Sequence, residues 1–336
     1  MWRDRAPGRV DDPEDVLPRA RTAPTRTVRV VIAAAVLAAL SGCATTAGGA
    51  APAAGPGLVH VHGLAVVPDD PSAVYAAAHS GVWRIPVDTT GSTWVPSGEP
   101  EQIADRDQDT MGFTVTGTGT FLASGHPDPT EHTATTAPHL GLVSSDDRAR
   151  TWRTLALEGQ VDFHDLETAP LPGGALRVLG YDATRGVVMT SDDGGATWRD
   201  GATLQARDLT LDPRDPAVVY ATTAEGTMIS TDAGATFAPL GGTPSGLLLI
   251  DAETPGQDAS GGLTGIDVEG RVWTTEEPQG PWTGSGRVAG APAALTVVDG
   301  SAGRLLLVAD HTGVHASTDG GETLQQLTAT GPGEHS

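Results

Sequence analysis

The apolar positions of this chain fall in short runs, each closed by a turn signal. HGLAVVP is followed by the turn DDPS, then AVYAAA, then GVWRIP. Further on, RDLTLDP, RDPA, VVYATT and GTMIS repeat that order. Runs this short, rich in Val, Leu and Thr and bounded by Gly, Pro and Asp, predict β-strands rather than helices. The same three-strand series is read at MGFTV, TFLAS, LGLVS and at FHDLETA, ALRVLG, GVVMTS. It returns more faintly at GLLLIDA, GLTGIDV, RVWTT, and again at AALTVVD, RLLLVAD, GVHAS. Residues 127–139 and 252–260 read as inserted loops.

After each third strand comes an eight-residue pattern, Ser-x-Asp-x-Gly-x-Thr-Trp. Its cleanest copy runs from Ser191 to Trp198 around Asp193. Ser145 to Trp152, around Asp147, has Ala149 in the Gly position. Ser230 to Phe237, around Asp232, and Ser317 to Leu324, around Asp319, replace the aromatic or lose it. Weaker copies end at Trp94 and Trp282. Successive copies end 58, 46, 39, 45 and 42 residues apart, the length of one propeller blade. The expected fold is all-β: a β-propeller of about six four-stranded blades over residues 58–330, with a tail at 331–336. The pattern is the Asp box, or BNR repeat, of sialidases and related propellers. Its Asp accepts backbone N–H bonds across a tight turn, its Gly supplies a positive φ, and its aromatic packs into the sheet.

The N-terminus departs from this pattern. Arg19, Arg21, Arg26 and Arg29 precede an apolar run from Val30 to Leu40. Eleven residues make about 16 Å of helix, against about 30 Å of membrane hydrocarbon. That length suits a signal-peptide core. Leu40-Ser41-Gly42-Cys43 follows and resembles a bacterial lipobox; Cys43 is the only cysteine among the 336 residues. The resemblance implies residues 1–42 as a lipoprotein signal peptide and acylation of Cys43. Two or three acyl chains then anchor the protein on the extracytoplasmic side of the cell membrane. Residues 43–57, rich in Ala, Gly and Pro, read as a flexible tether.

Charge narrows the function classes. All 20 basic residues are Arg, and beyond residue 30 there are 13 of them against 37 acids. A body this acidic argues against binding the nucleic-acid backbone, which needs basic patches. It favours solubility and attracts cations.

The whole mature chain resembles the BNR-repeat, sialidase-like glycosyl hydrolase lipoproteins of actinobacterial type. Besides the boxes, the resemblance rests on His60-Val61-His62-Gly63-Leu64, Met111-Gly112-Phe113-Thr114-Val115, Ala123-Ser124-Gly125-His126-Pro127-Asp128 and Asp162-Phe163-His164. Such a family name implies glycosidase chemistry. A sialidase needs three arginines and a Tyr–Glu pair. No such set can be assembled from Tyr75, Tyr181, Tyr220 and the scarce inner-strand arginines, of which Arg207 is the clear case. A two-carboxylate glycosidase remains open, with Asp165, Asp182 and Asp208 as candidate acids or bases.

Histidine placement gives a different reading. Loops of an antiparallel blade alternate between two faces, and the boxes mark one of them. His60, His62 and His164 open first strands, while His79, His126 and His311 close second strands, all toward the opposite face. His132 and His139 lie in the blade-2 loop on that face. Aligned first strands put His62, Met111, His164 and Arg207 at equivalent places. His60, His62, Met111, His126 and His164 are therefore candidates for a ligand or metal site at the channel mouth. Imidazoles with a thioether suit copper, and imidazoles with a carboxylate suit zinc. Hydrogen-bonded histidines that simply fill the channel are the alternative. Three functions stay open: a propeller binding a glycan, protein or metal, a glycoside hydrolase, and an assembly or stability factor.

The lipobox reading predicts that Cys43→Ala releases the protein from membranes or blocks its processing. Fractionation and gel migration identical to wild type would refute it.

Overall fold

The computed structural model of the protein describes residues 57–89, 93–131, 137–252, 262–300 and 303–331. Cys43, the leader, nearly all of the tether and tail, His132 and His335 lie outside the described residues. The rest forms six four-stranded antiparallel sheets, one of which gains a short fifth strand, Glu101–Gln102. They form a closed ring, a six-bladed β-propeller, as the strand pattern predicts.

The inner strands are Val61–Val67, Asp109–Val115, Phe163–Pro170, Ala206–Leu211, Leu247–Ala252 and Pro292–Gly300, defining blades 1 to 6. Each blade then meanders outward through three hairpin-connected strands. The ring closes where the blade-1 inner strand packs between those of blades 2 and 6. There the Thr296 hydroxyl donates to the Leu64 carbonyl at 2.8 Å.

The second strand of each blade is buried on both faces, which is why it reads as a nearly continuous run of small and apolar residues. In the second strand of blade 1, Val74, Ala76 and Ala78 pack toward blade 6. Ala73, Tyr75 and Ala77 alternate with them and pack toward blade 2. The apolar core is thus six clusters, one in each gap between neighbouring blades. Phe121, Phe163, Ile85 and Leu249 are among its fully buried members. Each such side chain contributes about 1.5–3 kcal/mol by leaving water.

The eight-residue repeat joins third to fourth strands. In blade 3 the Asp193 carboxylate accepts Thr197 N at 2.8 Å, the Thr197 hydroxyl at 2.6 Å and the Ser191 hydroxyl at 2.8 Å. Ser191 Oγ in turn accepts Gly195 N at 2.9 Å. The same bonds recur around Asp147, Asp232 and Asp319. The turn needs a left-handed backbone, met by Gly195 at φ 94°. Ala149 occupies the equivalent place at φ 64°, a conformation that costs a residue with a Cβ about 1–2 kcal/mol. Trp198 donates to the Gly195 carbonyl at 2.8 Å and packs 4.9 Å from Phe163, while Trp152 packs into the cluster between blades 1 and 2.

The hydroxyl and backbone N–H of Thr197, with the Ser191 hydroxyl, hold Asp193 at about 2, below the ordinary 3.8. Its depressed value means the bonded carboxylate stabilises the fold above pH 3.8 and loses that effect as pH falls toward 2. Asp193→Ala is therefore expected to lower Tm at pH 7 and to melt like wild type near pH 2. A deficit independent of pH would show that the ionised carboxylate is not what holds the turn.

Candidate metal-binding face of the channel

All six inner strands carry one extra residue at the same place near their start. In blade 1, Val61 pairs with Ala78 and Gly63 with Ala77, so His62 has no partner. The same one-residue bulge isolates Met111, His164, Arg207, Leu248 and Ala293 in blades 2 to 6. A bulge bends its strand and re-aims a side chain. Five of these six residues, Leu248 excepted, line the central cavity of about 1630 Å³. His60 lines it as well. The sequence alignment of His62, Met111, His164 and Arg207 thus coincides with a structural equivalence.

Two residues before the bulge stand His60, Asp109 and Asp162 in blades 1 to 3. Asp109 pairs across the strands with His126, and their side chains meet: Nδ1 of His126 lies 3.2 Å from Asp109 Oδ2. Gly125 makes this approach possible, because a Cβ there would sit 2.1 Å from the Asp109 carbonyl oxygen. The segment carrying His139 is tied down at two points. Leu140 N donates to the Gly125 carbonyl, and Gly159 N to the His139 carbonyl. Asp162 is fixed by its neighbour Phe163, whose side chain is fully buried and whose N–H donates to Ser124 Oγ.

The result is a belt of imidazoles and carboxylates across blades 1 to 3. His79 packs against both His62, at 4.6 Å between rings, and His60, at 5.1 Å. His79 Nδ1 lies 4.0 Å from Asp109 Oδ1. Asp162 Oδ2 has three imidazole nitrogens around it, from His164 at 3.0 Å, His126 at 3.6 Å and His139 at 3.8 Å. Among the described residues, two triples bring one ligand atom each within 4.8 Å of one another: His62, His79 and Asp109, and His126, His139 and Asp162. The expected single cluster of His62, His164, Met111 and His126 is therefore divided. His62 belongs to one triple and His126 to the other, and His164 joins Asp162. Met111 remains on the cavity wall.

Electrostatics favours the neutral form of His62 and the ionised form of Asp162 within the belt. Burial, then the cationic forms of His79, His164 and His60 and the charge of Arg207, push His62 down to about 3. Burial alone would raise Asp162. The hydrogen bond from His164 and the charges of His164, His126 and His139 outweigh it, keeping the carboxyl below its ordinary value.

The carboxylates deeper in the channel do something else. Asp165 Oδ2 accepts Leu209 N at 2.6 Å, Asp208 Oδ2 accepts Ile250 N at 2.7 Å, and Asp251 Oδ2 accepts Val297 N at 2.6 Å. Each acid thus laces its inner strand to the next. Burial, then like-charge repulsion from Asp251, carries Asp165 up to about 7 despite its backbone bond from Leu209. Burial and neighbouring acids also raise Glu167 and Asp208 well above the usual carboxylate range. Asp182 lies outside this ring. It caps the turn after the second strand of blade 3, bonded to Thr184 and Arg185.

Sequence reasoning missed Asp109 as a partner of the histidines, and Glu167 and Asp251 as channel acids. The signal for Asp109 was present, since it precedes Met111 by two residues as Asp162 precedes His164.

Fold and belt together define a six-bladed propeller with a histidine–aspartate face at one channel mouth. No protein-family model matches the chain, and no curated protein matches it. Among solved structures it is similar to a GH74 enzyme from Niastella koreensis, at 17% identity and a TM-score of 0.50, over 81% of this chain and 46% of that one. The GH74 xyloglucanase from Xanthomonas campestris aligns at 18% identity and a TM-score of 0.47, over 81% and 45%. YCF48 bound to a D1 peptide aligns at 16% and 0.48, over 81% of each chain. The chain spans less than half the length of the GH74 chains it matches. At these identities the likeness is one of propeller fold alone.

The lacing role of the channel acids can be measured. Asp165→Ala leaves the Leu209 N–H without its acceptor and is expected to cost about 1–3 kcal/mol in urea unfolding. Asp165→Asn keeps an acceptor oxygen and should cost less. Equal stability of Asp165→Ala and wild type would remove the carboxylate from the account of how the blades are joined.

Proposed function

We propose that this protein is an exported, lipid-anchored propeller that captures a late transition-metal ion, zinc or copper(II), at its histidine–aspartate face. One observation carries the reading. Among the described residues, seven buried side-chain polar atoms have no hydrogen-bond partner, and four of them lie in this belt: His62 Nε2, Asp109 Oδ1, His139 Nδ1 and Asp162 Oδ1. Leaving a buried polar atom unsatisfied costs about 1–3 kcal/mol. A cation satisfies imidazole nitrogens and carboxylate oxygens at once. Mixed imidazole and carboxylate donors match zinc and copper(II) better than magnesium or calcium, which prefer oxygen alone. The anchoring part rests on the lipobox at Cys43, and the acidic body supports the capture of cations. In family terms the reading is that of a BNR-type lipoprotein whose propeller binds rather than cleaves.

A glycoside hydrolase is the second reading, favoured by Asp165. A carboxyl lifted to about 7 is what a general acid requires. Against it, Asp165 and Asp208 each have an oxygen committed to a backbone N–H of the next blade. Reducing-end release from xyloglucan by wild type and not by Asp165→Asn would favour hydrolysis.

Binding to the folded state alone raises stability by about 2.7 kcal/mol when free metal is at 100 times its Kd. Zinc added to chelator-treated protein should therefore raise Tm, and His62→Ala with Asp162→Ala in one chain should abolish the rise. An unchanged Tm in wild type, or an equal rise in the double variant, would overturn the reading.

A further inference from the structure

The belt contains two donor sets, not one, and a single imidazole lies between them. His62, His79 and Asp109 span blades 1 and 2, while His126, His139 and Asp162 span blades 2 and 3. Each set has two of the orphaned atoms: His62 Nε2 and Asp109 Oδ1 in the first, His139 Nδ1 and Asp162 Oδ1 in the second. Asp162 is only 6% exposed, so its free oxygen is not turned to bulk water. A tetrahedral zinc site with bonds of about 2.0–2.1 Å holds its ligand atoms roughly 3.3 Å apart. Atoms within 4.8 Å of one another reach that spacing by side-chain rotation.

His126 faces both carboxylates. Its Nδ1 lies 3.2 Å from Asp109 Oδ2, and its Nε2 lies 3.6 Å from Asp162 Oδ2. If Nε2 ligates an ion beside Asp162, the proton stays on Nδ1 and is donated to Asp109. A ligating histidine is commonly oriented by a carboxylate in this way. Asp109 keeps Oδ1 free for the first set. One carboxylate then serves as ligand to one ion and as positioning residue for the other.

Resting on the metal-binding reading, we infer that the propeller holds two ions at unequal sites, linked through the His126–Asp109 contact. The first is held by His62, His79 and Asp109. The second is held by His126, His139 and Asp162, with His164 as a fourth donor 3.0 Å from Asp162. The ions staple blade 1 to blade 2 and blade 2 to blade 3.

Calorimetric titration of the purified full-length chain with zinc chloride tests this. Wild type should bind two ions. His79→Ala should lose one and leave the Kd of the other within about threefold, because His79 does not touch the second set. Asp109→Asn should also lose one ion and weaken the remaining site by about 10–100-fold, the usual effect of removing a carboxylate that orients a ligating histidine. His139→Ala should keep one ion at the first-set affinity, and gives an independent count if Asp109→Asn does not fold. One ion in wild type, or an unchanged second Kd in folded Asp109→Asn, overturns the linked pair while leaving metal binding intact. No ion in wild type overturns both.

Discussion

The innermost strand of each blade has a neighbour on one side only. Its other edge faces the channel, with N–H and C=O groups that no ladder pairs, and buried backbone groups must find partners. In this protein side chains from adjacent blades supply many of them. Ser124 takes the N–H of Phe163, Asp165 that of Leu209, Asp208 that of Ile250 and Asp251 that of Val297. Thr296 completes the circuit by donating to the Leu64 carbonyl of blade 1. The apolar clusters press neighbouring blades together, but apolar contact has no direction. These side-chain bonds fix the register of one blade against the next. They also concentrate acids in a confined channel, where burial and mutual repulsion favour their neutral forms.

That register determines the chemistry of the mouth. Six inner strands bulge at one level, so six equivalent side chains are re-aimed together. Blades 1 and 3 present imidazoles there, blade 2 a thioether and blade 4 a guanidinium, while Leu248 and Ala293 present no donor. At the bulge positions, donor side chains are therefore confined to blades 1 to 4. The second-strand ends of blades 1 and 2 add His79 and His126, and the blade-2 loop adds His139. A stiff, repeated scaffold thus converges side chains that are far apart in sequence.

Much of this architecture is legible in the chain because repeats average out local ambiguity. Short apolar runs and the Ser-x-Asp-x-Gly-x-Thr turn recur often enough to define blades, strand order and the face opposite the boxes. Equivalence of His62 and His164 followed from the same alignment. The pairing of His62 with Asp109 and of His164 with Asp162 did not, since it depends on which carboxylate each imidazole meets. Asp162 lies beside His164 in sequence, but Asp109 reaches His126 only through cross-strand pairing and the clearance that Gly125 provides. The acids were also hard to rank by type alone. Asp165 and Asp208 serve neighbouring backbones, and Asp182 caps a turn. What separates them is burial and hydrogen bonding, neither of which is written in residue spacing.

The central claim is that the orphaned atoms of the histidine–aspartate belt await a metal ion. Anomalous diffraction at the zinc edge, from crystals of the chain grown with zinc, locates bound ions directly. A peak is expected within about 2.0–2.2 Å of imidazole nitrogen and carboxylate oxygen in the belt. An empty belt, or zinc scattered only over surface carboxylates away from it, would contradict the account.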